Sequence, residues 1–381
     1  MSWIKSSIIV LFSTLMTLEI SSFILTKSKL FIVNNTPKLY QSIDHDVQDI
    51  VYGRTERDLW GAWHKPNGTY QHVKGCFNVK MSFNEVGARD ETFTTLSDNT
   101  LILLGDSFAE GYGVSYEDTS QFIIEQNLNR QVANFGASGS FGPLQELIIY
   151  NEFKYLPHNG LIVYVLPAND FRDNDAQYWS KRDPSDRTRY RPYFSNGSQP
   201  LTPYFFPEAI KRDNFLHKNF GGLKQFIKNN FWSSNAIRNV IILMREANLW
   251  KLKINLWGYY DASLTQQRNL ISAYDAILDS ADNKDVLFVL IPDQNDIVRN
   301  RDDNIPDRYK SQDWYQGFQK FSERRSQRVS VLDLMDHLPV DTDELFFSCD
   351  GHWSPAGNRW AAEVIVVHID AEGIFMSEYN Q

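Results

Sequence analysis

The chain has 381 residues, which is room for one large domain or two modest ones, and its hydrophobic fraction of 42% is ample for a substantial core. The formal net charge is −9, and the acidic residues are spread along the chain. This balance excludes the basic face on which general nucleic-acid binding depends, so no nucleic-acid partner is expected. The sequence contains no internal repeat and no low-complexity tract.

An apolar run opens the chain and extends over residues 6–26, between Lys5 and Lys27. Its length suits a membrane span of about 20 residues, and no clear cleavage site of small residues follows it. Residues 1–29 are therefore predicted to be an uncleaved signal anchor, with a buried core helix as the less favoured alternative. The flanking lysines give no bias that would orient it. Glu19 is costly inside this run and is expected to face a partner or to be tolerated.

Residues 30–97 are predicted to be a lead-in region, because they are polar and aromatic and their strand signals are weak. This region holds Cys76, and the second cysteine of the chain, Cys349, lies far away in sequence. The two are either unrelated buried thiols or a disulfide, which would require an oxidising compartment and would pin the segment next to Asp350. No Cys or His spacing suggests zinc, so no metal and no cofactor are expected.

From residue 98 to residue 372, short apolar runs alternate with helical patterns. The first run, Leu101-Ile102-Leu103-Leu104, is stopped by Gly105 and is too short for most helices, so it is predicted to be a buried parallel strand. The alternation predicts a parallel sheet with helices on both faces. The predicted strands are 101–104, 131–135, 161–166, 286–291 and 329–334, and the predicted helices are 118–129, 142–155, 264–282, 313–327 and 355–371. Residues 373–381 are a C-terminal tail.

The alternation breaks between residues 172 and 262, which are predicted to be an insertion into the α/β domain. The insertion begins past the C-terminal end of the third strand and would therefore cover one edge of the sheet as a lid or wall. Its first part is rich in Arg, Tyr and Pro, and its second part has helix-like apolar spacing. Its aromatic side chains would either stack on sugar rings or, as the favoured alternative, pack a small core of their own.

Four short motifs lie at the ends of the predicted elements. Loops that follow successive parallel strands emerge at one edge of the sheet, where ligands bind in open α/β folds. The fourth motif directly precedes the last helix and must return to that edge for its side chains to reach Ser107. The motifs are Gly105-Asp106-Ser107, Asn134 to Gly139, Pro167 to Asp170, and Asp350 to Asn358.

These motifs supply the groups that a serine nucleophile needs, since a serine alone is a weak acid. His352 can take the Ser107 proton as general base and return it to a leaving alcohol. Asp350 can fix the imidazole tautomer and stabilise its charged form. The backbone N–H groups of Ser107 and Gly139 and the side-chain amide of Asn169 can converge on the developing oxyanion. Each motif alone is a weak signal, and their conjunction in this order is more specific.

Other side chains are less suited to a triad. Asp106 is expected to order the turn before the nucleophile, and Asp170 to orient the loop that bears Asn169. Asp296 and His337 follow the fourth and fifth strands, but neither lies in a motif that supplies a partner. The predicted triad therefore keeps its aspartate and histidine in the fourth motif.

With these motifs in this order, the chain resembles the SGNH (GDSL-type) hydrolase superfamily over roughly residues 98–372. The resemblance implies a flavodoxin-like three-layer α/β/α sandwich with a parallel five-stranded sheet, a Ser-His-Asp triad and a metal-free esterase mechanism. The family often places two residues between Asp and His, whereas Gly351 alone intervenes here. This spacing, followed by Trp, is similar to the branch associated with bacterial cell-surface polysaccharides, including alginate-type O-acetylation proteins. Residues 83–90 resemble the lead-in of membrane-anchored members.

Three hypotheses about function follow. The first is a membrane-anchored serine esterase that hydrolyses acyl esters, with acetyl the first choice, on a cell-surface or secreted carbohydrate. The second is a polysaccharide O-acetyltransferase with the same triad, in which a sugar hydroxyl intercepts the acyl-enzyme. The third is a non-catalytic assembly or binding protein, whose mark would be a lost triad or oxyanion residue, and none is missing. The catalytic domain is expected outside the cytoplasm, with polysaccharide-assembly proteins as further partners.

Overall fold

The computed structural model describes residues 2–28, 63–74, 76–179, 191–195, 198–202, 231–234, 237, 258–260, 262–302, 307–323, 329–348 and 350–375. The strands are β1 (Thr69–Lys74), β2 (Phe77–Ser82), β3 (Leu101–Leu104), β4 (Val132–Asn134), β5 (Gly160–Val165), β6 (Tyr193–Ser195), β7 (Ser198–Thr202), β8 (Asp285–Leu290) and β9 (Val329–Asp333). The helices are α1 (Ser2–Lys27), α2 (Ser107–Glu110), α3 (Ser120–Leu128), α4 (Pro143–Phe153), α5 (Pro167–Asp173), α6 (Ala176–Trp179), α7 (Leu264–Ala281), α8 (Gln294–Asp302), α9 (Asp313–Ser322) and α10 (Pro355–Glu372).

A parallel sheet of five strands forms the centre of the molecule, in the order β4-β3-β5-β8-β9. The three middle strands are apolar and almost wholly buried, as expected for strands that are covered on both faces. The sheet confirms the predicted α/β fold, and each predicted strand lies within about one residue of an observed one. In chain order the arrangement is 2-1-3-4-5, the order of flavodoxin-like folds.

Helices cover the sheet in two groups. α3 packs against α10, while α7 packs against α4, α5 and α9. The connection from β3 to β4 runs towards one side of the sheet, and the connection from β4 to β5 runs back towards the other side. Because such crossovers are right-handed, the helix after β3 lies on one face and the helix after β4 on the other. Both layers therefore follow from the strand order, and the carboxyl ends of all five strands lie at one edge.

Three elements go beyond the sequence-based expectations. The lead-in region contains an antiparallel hairpin, β1–β2, in which Lys74 pairs with Phe77 across the turn. The segment after the third sheet strand is not a loop but helix α5, which begins at Pro167, so Asn169 lies on a helix. α8 is a polar helix that follows β8. At the C-terminus, Ile374 and Phe375 are buried, so the packed chain continues into the predicted tail.

The N-terminal apolar run forms α1, but the predicted membrane anchor over residues 6–26 gains no support from the structure. Within the described residues, no helix combines enough length with enough apolar character to cross a membrane. The Glu19 carboxylate of α1 accepts hydrogen bonds from the backbone N–H groups of Trp232 (2.6 Å) and Ser233 (3.0 Å). Of the two alternatives for Glu19, a partner or mere tolerance, the structure shows a partner, which is another segment of the same chain.

The predicted insertion lies largely outside the described residues, including Arg182, Arg187 and most of its helix-like second part. Two of its described aromatic residues, Trp179 and Tyr193, are buried. The Arg191 guanidinium lies over the Trp179 ring, 4.0 Å from the ring centroid. At these positions the aromatic rings pack against protein groups rather than presenting a free face for a sugar, which agrees with the favoured alternative.

Candidate active site

Ser107 begins helix α2 directly after strand β3, at the carboxyl edge of the sheet. Gly105 makes the turn with φ of +150°, and a Cβ there would lie 2.9 Å from the Cβ atoms of Ala109 and Tyr164. Asp106 occupies the N-cap position, and its Oδ1 accepts a hydrogen bond from the Phe108 N–H at 2.9 Å. Asp106 thus orders the turn as expected, and it fixes the backbone that carries the nucleophile candidate.

His352 and Asp350 reach this position from the other end of the chain. His352 Nε2 lies 2.7 Å from Ser107 Oγ, and His352 Nδ1 is hydrogen-bonded to Asp350 Oδ1. The Ser354 hydroxyl caps α10 by accepting from the N–H groups of Ala356 (3.1 Å) and Gly357 (3.2 Å). The structure therefore brings the three predicted triad side chains into one chain of hydrogen bonds, the geometry of an activated serine. Their catalytic roles stay a prediction.

The Asp350 carboxylate is held by donors on both oxygens. Oδ1 also accepts from the His352 backbone N–H at 3.1 Å, and Oδ2 pairs with the Lys74 ammonium group. Burial would raise the pKa of Asp350, but the hydrogen bonds and positive charges of His352 and Lys74 outweigh it and hold that pKa well below its usual range. Asp350 is therefore ionised at any pH near neutrality, as the orienting member of a triad must be.

Asn169 is linked by a hydrogen bond to Asp106, the residue directly before Ser107. Its Nδ2 donates to Asp106 Oδ2 at 2.9 Å, and its Oδ1 accepts from Arg172 at 2.7 Å. Two partners of opposite polarity fix the amide orientation, and one of the two Nδ2 hydrogens is left to donate to an oxyanion. Asp170 accepts from the Leu166 N–H (2.8 Å) at the start of α5 and from the Tyr274 hydroxyl (2.9 Å), and thereby ties α5 to α7.

Gly139 has φ of +90°, a conformation that L side chains rarely adopt. Its carbonyl oxygen accepts from Arg191 Nη2 at 3.0 Å, which fixes the peptide plane of this turn. The preceding Ser138 hydroxyl donates to the Glu110 carboxylate. This predicted oxyanion residue is thus positioned from both sides.

The carboxylate that holds Ser138 is fully buried and is itself paired. Glu110 Oε1 lies 2.9 Å from His64 Nε2. Burial would raise the pKa of Glu110, but the charge and hydrogen bond of His64 and the charge of Arg89 outweigh it, so that pKa is lowered. Arg89 also donates to the carbonyl oxygens of Glu110 and Val114. Residues of the lead-in region therefore support helix α2, which begins at Ser107, and the turn that carries Gly139.

Sequence reasoning missed two side chains that border the triad. Tyr112 stacks on the His352 ring, with centroids 4.1 Å apart and planes inclined by 25°, and Lys74 contacts Asp350. The other aspartate and histidine candidates lie in other networks: Asp296 accepts from the Tyr259 N–H at 3.1 Å, and the His337 backbone carbonyl accepts from an indole N–H. The position of Cys76, two residues after Lys74, was the signal that could have pointed to this strand.

Cys76 is disulfide-bonded. The chain has one other cysteine, Cys349, which lies outside the described residues. The bond supports the second of the two interpretations of these cysteines, in which a covalent link holds the hairpin near Asp350.

Part of the chain is similar to a known family. Residues 258–380 match the model described as an SGNH hydrolase-like domain of the acetyltransferase AlgX. The matched segment includes Asp350 and His352 but not Ser107. The match covers less than half of the chain, and it shows what this segment is similar to. No curated protein matches the sequence.

Several solved structures are distantly similar. The lipase/acylhydrolase from Enterococcus faecalis has a TM-score of 0.38 at 12% identity and covers 72% of this chain and 96% of its own. The acetyl xylan esterase Est2A from Butyrivibrio proteoclasticus has a TM-score of 0.38 at 10% identity and covers 74% and 66%. These scores are too low to bear on the activity of this chain.

Proposed function

We propose that the protein is a serine-dependent enzyme that acts on acyl esters, with the acyl group passing through Ser107. The observation that carries the proposal is the hydrogen-bond chain from Ser107 Oγ through both ring nitrogens of His352 to Asp350. A serine, a base and an orienting carboxylate in this geometry constitute an activated nucleophile. The family match over residues 258–380 supports the same class of chemistry.

In the first half-reaction, Ser107 Oγ attacks the ester carbonyl carbon while His352 Nε2 takes the hydroxyl proton. The oxyanion accepts hydrogen bonds from the Asn169 amide and from the backbone N–H groups of Ser107 and Gly139. The tetrahedral intermediate collapses, the C–O bond to the alcohol breaks, and His352 returns the proton to the leaving alkoxide. The product is an acyl-enzyme on Ser107, and Asp350 stabilises the imidazolium that forms on the way.

In the second half-reaction an acceptor hydroxyl attacks the acyl carbon while His352 takes its proton. The tetrahedral intermediate then collapses, the bond between the acyl carbon and Ser107 Oγ breaks, and His352 returns the proton to Ser107. Water as the acceptor gives hydrolysis, and a sugar hydroxyl gives transfer. Transfer is the second candidate function, favoured by the acetyltransferase in the description of the matching family model. Supplying an acetyl donor with an oligosaccharide, and weighing acetylated sugar against free acetate, separates the two.

The proposed substrate is an acetylated carbohydrate outside the cytoplasm. The support for this location is the disulfide at Cys76, because structural disulfides persist in oxidising compartments. Polysaccharide-assembly proteins are the proposed neighbours of the enzyme in that compartment. Exposure of the domain to added protease in intact cells, compared with lysed cells, tests the location.

The experiment that tests the proposal is hydrolysis of 4-nitrophenyl acetate by the wild type and by Ser107→Ala. We expect the variant to lose at least about 10³-fold in kcat, because no other group replaces the nucleophile. Its melting temperature should match that of the wild type, since the change removes one oxygen atom. A Ser107→Ala protein with wild-type turnover would contradict the proposal.

A further inference from the structure

We infer that Lys74 is a positioning residue for the catalytic pair, with its ammonium group holding the outer oxygen of Asp350 and offsetting part of the carboxylate's charge. This inference rests on the proposed function of Ser107, His352 and Asp350. It assigns a role at the site to the lead-in hairpin, which precedes the domain that carries the motifs.

The first argument is the coordination of Asp350. Oδ1 is occupied by the ring and backbone nitrogens of His352, and Oδ2 is occupied by Lys74 Nζ. The Asp350 side chain is only 10% exposed and that of Lys74 26% exposed, so water screens this pair less than it screens a surface ion pair. With both oxygens held, the carboxylate cannot rotate about its last bond without breaking a charged contact, and the imidazole keeps its orientation.

The second argument is the placement of Lys74 itself. It is the last residue of β1 and pairs with Phe77 across the turn. The Phe77 ring lies 5.0 Å from the ring of Phe347 and 5.9 Å from that of Tyr112. The hairpin is thereby docked on both the segment that precedes Asp350 and the loop that follows α2, so the position of Lys74 is fixed by packing as well as by charge.

The third argument is the shared aromatic ring. Lys74 Nζ lies 5.0 Å from the Tyr112 ring centroid, within range of a cation–π contact. The same ring stacks on His352. Burial would lower the pKa of Lys74, but the interactions with Tyr112 and Asp350 outweigh it, so that pKa is raised and the ammonium stays charged. Lys74 therefore supports both Asp350 and His352, the first by an ion pair and the second through the Tyr112 ring.

A positive charge at this place acts on proton transfer. The Lys74 charge offsets part of the Asp350 charge that faces the imidazole. Burial lowers the pKa of the neighbouring His72 to about 4, so His72 is neutral near pH 7 and adds no charge there. The titratable and charged groups around Asp350 and His352 come from the lead-in region and from α2 with its flanking residues. They are His72, Lys74, Arg89, Asp106, Glu110 and Tyr112.

The test is the pH profile of kcat/KM for 4-nitrophenyl acetate in the wild type, Lys74→Met and Lys74→Arg. Removing the charge should move the acid limb of the profile to higher pH by about one unit, the size of a Coulomb term at this range. The plateau value of kcat/KM should fall by up to about 100-fold, because the base is misplaced. Lys74→Arg keeps the charge and should restore the wild-type acid limb.

Lys80→Met is the matched control, because Lys80 is an exposed lysine on β2 of the same hairpin. It should leave both the profile and the plateau unchanged. If Lys74→Met does not fold, Lys74→Gln gives the same readout, since it is also neutral and retains hydrogen-bond donors.

An unshifted acid limb in a folded, neutral Lys74 variant would overturn the inference, even if the plateau value of kcat/KM falls. A purely structural ion pair would lower only the plateau. Failure of the proposed function is recognised separately. In that case Ser107→Ala retains wild-type turnover, whatever the Lys74 variants do.

Discussion

Asn169 shows how single side chains build this site. Arg172 holds its oxygen and Asp106 accepts from its nitrogen, so the amide has one orientation before any substrate binds. A donor that is fixed in advance stabilises developing charge without reorganising at the moment of reaction. Asn169 could be chosen from the motif that follows the third sheet strand, but nothing in the local pattern identified Arg172, three residues further along α5, as the group that orients it.

Asn169→Ala is expected to lower kcat by about 10²- to 10³-fold, the range for removal of one oxyanion donor, with a small change in KM. Steady-state kinetics on 4-nitrophenyl acetate measure the effect. Labelling of Ser107 by a fluorophosphonate and the melting temperature show whether the nucleophile and the fold survive. Wild-type kcat in this variant would remove Asn169 from the oxyanion site.

The central elements could be predicted from sequence because each depends on a local pattern. The apolar runs of β3, β5 and β8 are followed by Gly105, Pro167 and Pro292, and α10 begins at Pro355, directly after its N-cap Ser354. Three of the four motifs could be placed at one edge of the sheet, because the loops that follow parallel strands emerge there. The fourth motif was expected to return to that edge, and His352 does lie against Ser107, 245 residues away.

The hairpin β1–β2 could not be predicted in the same way. Its strands are short and mixed in polarity, and their position depends on contacts with residues far away in sequence. The Lys74–Asp350 pair joins positions 276 residues apart. α8 was not predicted because it is polar and lacks an apolar stripe. α5 was not predicted because a short segment that begins with Pro and contains Asn and Asp resembles a loop.

Buried acidic groups shape the stability of the whole molecule. Burial raises the pKa of Asp333 to about 6, and Asp333 accepts from the hydroxyls of Tyr259 (3.2 Å) and Tyr309 (3.0 Å). A carboxyl with a raised folded-state pKa binds its proton more tightly in the folded chain. Its contribution to stability is fully present below its unfolded pKa and is lost as the pH rises through about 6.

The free energy of unfolding is therefore expected to fall between about pH 4 and pH 7, a window that spans the unfolded pKa of Asp333 and its folded pKa of about 6. Asp333→Asn should reduce this fall in the free energy of unfolding by on the order of 1–3 kcal/mol, because the amide keeps the contacts but does not titrate. Urea unfolding at several pH values, with the disulfide intact, measures it. Asp341→Asn, at an exposed position a few residues further along the chain, is the control. Equal slopes in the wild type and Asp333→Asn would show that Asp333 is not a source of the pH dependence.

Acyl transfer through Ser107 is the claim on which the rest of the account depends, and it is tested most directly by trapping the acyl-enzyme. The protein is mixed with 4-nitrophenyl acetate, quenched in acid within one turnover, digested and analysed by mass spectrometry. The account predicts one acetyl group on the peptide that contains Ser107, absent from Ser107→Ala and strongly reduced in His352→Ala, in which the nucleophile has lost its base. Turnover without any acetylated Ser107, or an acetyl group on another residue in the wild type, would contradict it.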